Sequence, residues 1–393
     1  MNPKIDFDNT EIAFADKSNW DLRRMQFLFA SMNNPTFSKV GILLTRVLLA
    51  VRFPIKWLVK RTIFRQFCGG ESLQESLKTV DKLSASNIKT ILDYSAEGER
   101  SEKVFDANKE EILRSLELAK ESNDIPTGVM KLTGFCSFGL LAKKQAGRKF
   151  SPEQVKRFEA FEKRVEEICE RAVAYEKFLF IDAEETWIQI TIDDIVNRMM
   201  AKYNKDRVFI FNTYQMYLVD SLDKLKAIHE KGENEGFKIG AKLVRGAYME
   251  KERERAVEKG YPDPVHSDKE GTDDAYNNAV QYCLSNIEEI ALCAGTHNES
   301  SSLLVTELME EHKINRDDHR VYLAQLFGMS DNISYNLADA GYNVAKYVPY
   351  GAVRKVLPYM MRRAEENTAI AGQSSREYNQ VKKEIARRRK AGK

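Results

Sequence analysis

Eight short apolar runs, separated by longer amphipathic and charge-rich segments, constrain this chain more than any other feature. The runs fall at residues 88–94, 128–132, 178–182, 208–212, 239–244, 290–294, 321–326 and 344–348. Between them, segments such as 152–177, 221–231, 273–289 and 300–313 are long enough for helices and carry the helical alternation of apolar and charged positions. Strands that alternate with helices pair in parallel through right-handed crossovers. Eight such units favour a closed sheet over an open one, so the expected fold is α/β, a (βα)8 TIM-like barrel. No glycine-rich loop of the G-x-G-x-x-G or G-x-x-x-x-G-K-[ST] kind follows any run, which weakens an open nucleotide-binding sheet. The expected organisation is an N-terminal helical arm over 1–85, the barrel over 86–372 and a basic C-terminal tail over 373–393. The tail ends Arg387-Arg-Arg-Lys-Ala-Gly-Lys393 and reads as solvated or loosely docked.

Composition excludes several classes. A net charge of +2 across 393 residues gives no global field of the kind that binds nucleic acid. The five cysteines, Cys68, Cys136, Cys169, Cys283 and Cys293, are scattered with no Cys-x-x-Cys pair, which fits a reduced intracellular protein without structural zinc. The first residues lack the basic and apolar regions of a signal peptide, and Asp6, Asp8 and Glu11 argue against a transit peptide. No uncharged run reaches the ~18 residues of a spanning helix. The nearest candidate, 40–61, is apolar, studded with Arg46, Arg52, Lys56, Lys60 and Arg61, and broken by Pro54. It reads first as a helix packed on the catalytic part. The alternative is an arm lying on an anionic membrane surface with Trp57 at the interface.

In a barrel of this kind, chemistry collects at the C-terminal ends of the strands. The runs end in Asp93-Tyr94-Ser-Ala-Glu97, Lys131-Leu-Thr133, Asp182-Ala-Glu184-Glu185, Asn212-Thr-Tyr214-Gln215, Lys242-Leu-Val-Arg245-Gly246-Ala247-Tyr248, Thr296-His297-Asn298, Gln325-Leu326 and Tyr347. Beyond the last run, Tyr359, Arg362, Arg363 and Glu366 share one helix face at i, i+3, i+4, i+7. Adjacent arginines grip a carboxylate in two-pronged fashion; the plainer alternative is a solvated face with a local Arg–Glu pair. Singly, each strand-end residue has a plain alternative: Asp182 a helix cap, Lys131 a surface lysine, His297 a core histidine. Together they describe a pocket with cations at Lys131, Lys242, Arg245, Arg362 and Arg363, anions at Asp182, Glu97 and Glu366, and aromatic walls at Tyr347 and Tyr359. A Lys131–Asp182 pair would join neighbouring strands and hold the lysine charged. The cations suit an anionic cofactor, and flavin is one candidate. Metal is disfavoured, because of five histidines only His297 ends a strand. A lysine acting through a Schiff base, as in an aldolase, is the other chemistry these residues leave open.

The motifs Lys242-Leu-Val-Arg-Gly-Ala-Tyr248, Asp182-Ala-Glu-Glu185, Thr296-His-Asn298, Gln325-Leu-Phe-Gly-Met329 and Tyr359-x-x-Arg-Arg-x-x-Glu366 occur in order over about 88–370. In them the chain resembles the proline dehydrogenase family, in its monofunctional eukaryotic-type branch. The resemblance implies a distorted (βα)8 barrel with FAD held non-covalently at the strand C-termini. It assigns Arg362 and Arg363 to the proline carboxylate, with Lys131 as a third cation. Tyr347, Tyr359 and Leu326 would box the pyrrolidine ring, Asp182 would support Lys131, and Glu97 would pair with an arginine as an ionic gate. Lys242 falls where many bacterial relatives carry an arginine facing flavin N5, and Asn212 where they carry a glutamine at the pyrimidine end. Arg245, Gly246, Ala247, Tyr248, Thr296, His297, Asn298, Gln325 and Glu366 complete the implied flavin contacts, shared with Lys131, Leu326 and Tyr347. The implied activity is oxidation of L-proline to Δ1-pyrroline-5-carboxylate, with electrons passed to ubiquinone or menaquinone, and without nucleic acid as a partner. The implied location is cytoplasmic, peripheral to a bacterial inner membrane. Hydroxyproline as substrate and a non-catalytic flavin redox switch are the alternatives.

Overall fold

The computed structural model describes residues 5–32, 56–94, 101–357, 359–361 and 373–392. Its eight strands are β1 (Ile88–Tyr94), β2 (Thr127–Met130), β3 (Phe178–Ile181), β4 (Ile210–Gln215), β5 (Ile239–Val244), β6 (Ile290–Gly295), β7 (Val321–Leu326) and β8 (Val344–Tyr350). They follow one another in sequence order around a closed barrel. The register of β1 on β8, and of each pair from β2 to β7, is parallel. The expected (βα)8 barrel is therefore the fold. Several boundaries moved, those of β4 and β8 among them. β4 begins two residues later than the run at 208–212 and continues through Thr213 and Gln215. Asn204 explains the late start: its Oδ1 accepts from the backbone of Phe209 and Ile210, and its Nδ2 donates to Ile210 O. The polar end stays in the sheet because Thr213 Oγ1 donates to Ile181 O and Gln215 Nε2 to Glu184 O. β8 runs on through Pro349, whose carbonyl accepts from Gly69 N at 2.8 Å.

By contact density the chain forms two units, one of residues 99–324 and one joining 1–98 to 325–393. In the first, the barrel interior is aromatic: Phe178, Phe180 and Phe211 meet at 4.9–5.3 Å, and Tyr322 lies 6.0 Å from Phe178. The long helix Pro152–Ala174 shows why the intervening segments are helical. Ser151 and Gln154 form a capping box, Pro152 sits in the first turn, and Phe158, Phe161, Val165, Ile168, Cys169 and Ala172 recur on the buried face.

In the second unit, α1 (Thr10–Ala13) and α2 (Asn19–Met32) are followed by α3, a helix over 56–67 whose middle, Lys60–Phe64, is a π-turn. Helix α4 (Leu73–Ser84) leads into β1. After β7 comes α5 (Asp331–Asp339), and the chain closes with α6 (Gln373–Lys390). The basic tail, expected to be solvated or loosely docked, is here a helix with buried side chains. Its buried face is polar: Glu377, Gln380 and Glu384 flank Val381. Glu384, fully buried, accepts from Thr10, Arg387 and Arg388, while Arg388 also donates to the carbonyls of Phe14 and Lys17. Val381 joins an apolar cluster with Leu22, Met25, Phe29, Phe67 and Met329.

Candidate active site

Within the 99–324 unit, register decides which strand-end side chains meet. Ile181 stands level with Asn212 and Thr213 with Lys242, so Asp182, one residue past β3, lies level with Lys242. Lys242, only 5 % exposed, pairs its Nζ with Asp182 and lies 5.8 Å from the Phe180 ring. Asp182, expected beside Lys131, thus holds an ion pair with Lys242. Lys131 is exposed, just beyond β2, and its charge reaches Glu184 and Tyr248.

A belt of hydrogen bonds ties four loops of this unit together. Thr133 donates its N–H and its hydroxyl to the Glu184 carboxylate at 2.9 and 2.5 Å. Gln215 Nε2 donates to Glu184 O, and Ala247 N donates to Gln215 Oε1. Burial pushes the Glu184 carboxyl up, while Thr133 and the Lys131 charge pull the other way. Glu184 and Gln215 stand among the strand ends in the sequence, but nothing local marks them as connectors.

Arg245 is held on three sides, by Asp273 at 2.6 Å, Thr296 Oγ1 at 2.7 Å and Ser301 Oγ at 2.9 Å, with its guanidinium 4.5 Å from the Tyr276 ring centre. Against the cost of burial, Lys269 and Arg245 hold Asp273 below the usual carboxylate range. Gly246 has φ +135°, and a Cβ there would lie 1.7 Å from the Tyr217 ring, so only glycine fits. Thr296 Oγ1 also accepts from Asn298 N, and Asn298 Oδ1 caps the helix Glu299–Glu311 by accepting from Ser301 N. His297 is half-buried between them. Asn212 goes elsewhere. It sits between the inward Phe211 and Thr213, and its amide donates to Asp193 of the helix Thr186–Tyr203 at 2.9 Å.

In the other unit, Tyr347 and Tyr359 are each 8 % exposed. Tyr359 lies in helical residues 359–361 and packs in a cluster with Val59, Phe64, Val353 and Val356. Tyr347 O accepts from Phe327 N at 2.8 Å, and Gln325 Oε1 accepts from Ser334 Oγ at 2.7 Å. Leu326 ends β7 half-buried against the cluster that holds Met329. Glu97, Arg362, Arg363 and Glu366 lie outside the described residues, as does most of the 36–66 segment.

A family model described as proline dehydrogenase matches residues 76–376. Proline dehydrogenase 1, mitochondrial, of Dictyostelium discoideum is 31 % identical over 98 % of this chain and 76 % of its own length. A hydroxyproline dehydrogenase of Xenopus laevis is 30 % identical over 95 % of this chain and 88 % of its own. Among solved structures, proline utilization A of Bdellovibrio bacteriovorus, inactivated by N-propargylglycine, superposes with a TM-score of 0.78 at 20 % identity, over 93 % of this chain. This chain spans 41 % of that longer one.

Proposed function

The chain belongs to the proline dehydrogenase family, and on that premise we propose that it is an FAD-dependent oxidoreductase of L-proline. The ordered match over residues 76–376 carries this reading, since it spans all eight strand ends singled out for chemistry and the arginine pair beyond the eighth. Proline would give up a hydride from C5 and a proton from its ring nitrogen, leaving the C=N bond of Δ1-pyrroline-5-carboxylate. FAD, when bound, supplies the hydride acceptor at N5 and passes the electron pair to ubiquinone or menaquinone.

What supports FAD is the donor set. The 99–324 unit offers a buried cation at Lys242, a fixed guanidinium at Arg245, and an exposed turn at Gly246 and Ala247. Such donors suit an anionic, hydrogen-bond-rich cofactor. Lys242 would favour the electron-rich flavin, and Asp182 fixes its direction. Lys131, Tyr248, Thr296, His297 and Asn298 belong to the same proposed set. From the other unit we assign Gln325, Leu326, Tyr347 and Glu366 to the flavin as well. Arg362 and Arg363 are assigned to the substrate carboxylate, and Leu326, Tyr347 and Tyr359 to the ring. Anchoring one end of proline orients C5, so these residues act mainly by positioning. Glu97, paired with an arginine, would exclude water when closed. Asn212, turned to Asp193, would act on the flavin only by bracing β4.

The deciding experiment is an anaerobic visible spectrum before and after L-proline. A flavin band that bleaches supports the reading. A protein that stays colourless with added FAD would sink it. The relative named a hydroxyproline dehydrogenase favours a second substrate. Tyr347 opposes it, because a buried phenol would crowd a ring hydroxyl. Equal kcat/KM for both amino acids would overturn that preference. Among the described residues no helix is long and apolar enough to cross a membrane. The proposed membrane contact rests on the basic-apolar arm, where Trp57 is 62 % exposed beneath Arg61 at 4.4 Å. Unchanged liposome co-sedimentation after deleting 36–66 would remove that role.

A further inference from the structure

The loop between β7 and α5 is held in an unfavourable shape, largely by residues that the proposed chemistry does not use. Gly328 has φ +80° and Ser330 has φ +49°, the left-handed region that a serine seldom enters. Consecutive backbone groups of this loop are caught by three elements, α3, β8 and α6. Phe327 N–H donates to Tyr347 O at 2.8 Å, and Gly328 O accepts from Gln66 Nε2 of α3 at 2.8 Å. Met329 O accepts from Lys346 Nζ of β8, and Ser330 N–H donates to Glu377 Oε1 of α6, both at 2.5 Å. Beneath the loop lies a buried charge cluster. Lys346, wholly buried, pairs with Asp331 at 3.0 Å, and Asp331 pairs with Lys17 at 3.0 Å. Lys17 in turn pairs with Asp16 at 2.8 Å.

Leu326 is four residues from Ser330, packs against the same apolar cluster as Met329, and ends the strand that the loop continues. We propose that Glu377, on the C-terminal helix, is a positioning residue for the substrate: by holding the Ser330 amide it fixes the loop and so the presentation of Leu326. This rests on the proposed function only in giving Leu326 a face toward proline. The hold also responds to pH. Asp331 from α5, Lys346 from β8 and Arg376 on its own helix face Glu377, with Lys17 and Asp16 behind Asp331. Burial, with the Asp331 charge adding, pushes Glu377 up to about 7. An ionised Glu377 is the stronger acceptor for the Ser330 amide, so the loop tightens as pH rises through neutrality.

The test compares wild type, Glu377→Ala and Glu377→Gln at pH 6 and pH 8. The readouts are flavin content, kcat and KM for proline, and hydrogen exchange of peptides covering 326–331. We expect Glu377→Ala to keep its flavin and kcat while KM rises roughly tenfold, the loss of one hydrogen bond to a charged group. Exchange over 326–331 should speed up alongside. Glu377→Gln should match wild type at pH 6 and depart toward Ala at pH 8. A lowered Tm in Glu377→Ala, with KM and loop exchange unchanged at both pH values, would overturn the proposal and leave a structural role. If proline does not reduce wild-type flavin, the proposed function fails. The exchange ordering then judges the loop hold by itself.

Discussion

At the scale of single residues, Lys242 and Asp182 show what a buried pair costs to break. Lys242 is 6 % and Asp182 15 % exposed at the side chain. Replacing Lys242 with Met would leave a carboxylate with its cation removed, at about 3 kcal/mol. Urea denaturation of the flavin-free protein should show that loss, and Lys242→Arg should recover much of it. Arg363→Met belongs to the same scale. Losing one prong of a carboxylate clamp costs ~2–5 kcal/mol of proline binding, read as a raised KM with flavin content intact; near-normal kcat/KM would refute the clamp. Both members of the Lys242 pair were legible as strand-end charges. Their partnership was not, because it depends on the register across β4, which no spacing along the chain encodes. The direction of Asn212 was hidden for a related reason. A strand read as ending at residue 212 puts its last side chain at the site, whereas a strand running to Gln215 turns that side chain toward the helices.

At the scale of elements, the β5 loop and α6 carry the clearest consequences. Gly246→Ala places a methyl group against Tyr217 in a backbone region that favours glycine. The strain of ~1–3 kcal/mol falls on the loop proposed to hold flavin. FAD titration of the variant should show weaker binding with unchanged far-UV circular dichroism. In the other unit, Phe29 is fully buried in the cluster that α6 covers through Val381. Phe29→Ala should destabilise by ~3–5 kcal/mol, measured by denaturation. The sequence marked α6 only as a charged tail, since its short apolar row, Tyr378, Val381 and Ile385, is flanked on the docked face by buried Glu377, Gln380 and Glu384. Those polar side chains are buried because α1, Asp8 just before it and the β7 loop offer them partners, and partners do not register in hydrophobic periodicity.

At the scale of the whole molecule, the buried charges couple stability to pH. Against the cost of burial, Lys17 and Lys346 hold Asp331 down to about 2. Its contribution is present above its ordinary value and is lost only as pH falls toward 2. Glu377 works in the opposite sense. With its folded value raised to about 7, the folded state binds the extra proton, so stability declines as pH rises from the ordinary carboxylate range through 7. Wild type should therefore be less stable at pH 8 than at pH 5, and Glu377→Gln should flatten that difference; an unchanged slope would discount the titration. The sequence by itself determined the eightfold alternation, hence the barrel, and the polar character of each strand end, because burial demands periodic apolar residues and chemistry demands exceptions to them. Only the tertiary structure decided which charge faces which, which way Asn212 turns, and that the basic tail is a docked helix. Those outcomes follow from register and from long-range partners, and a hydrogen bond between residues 47 positions apart, such as Ser330 to Glu377, leaves no local trace in the chain.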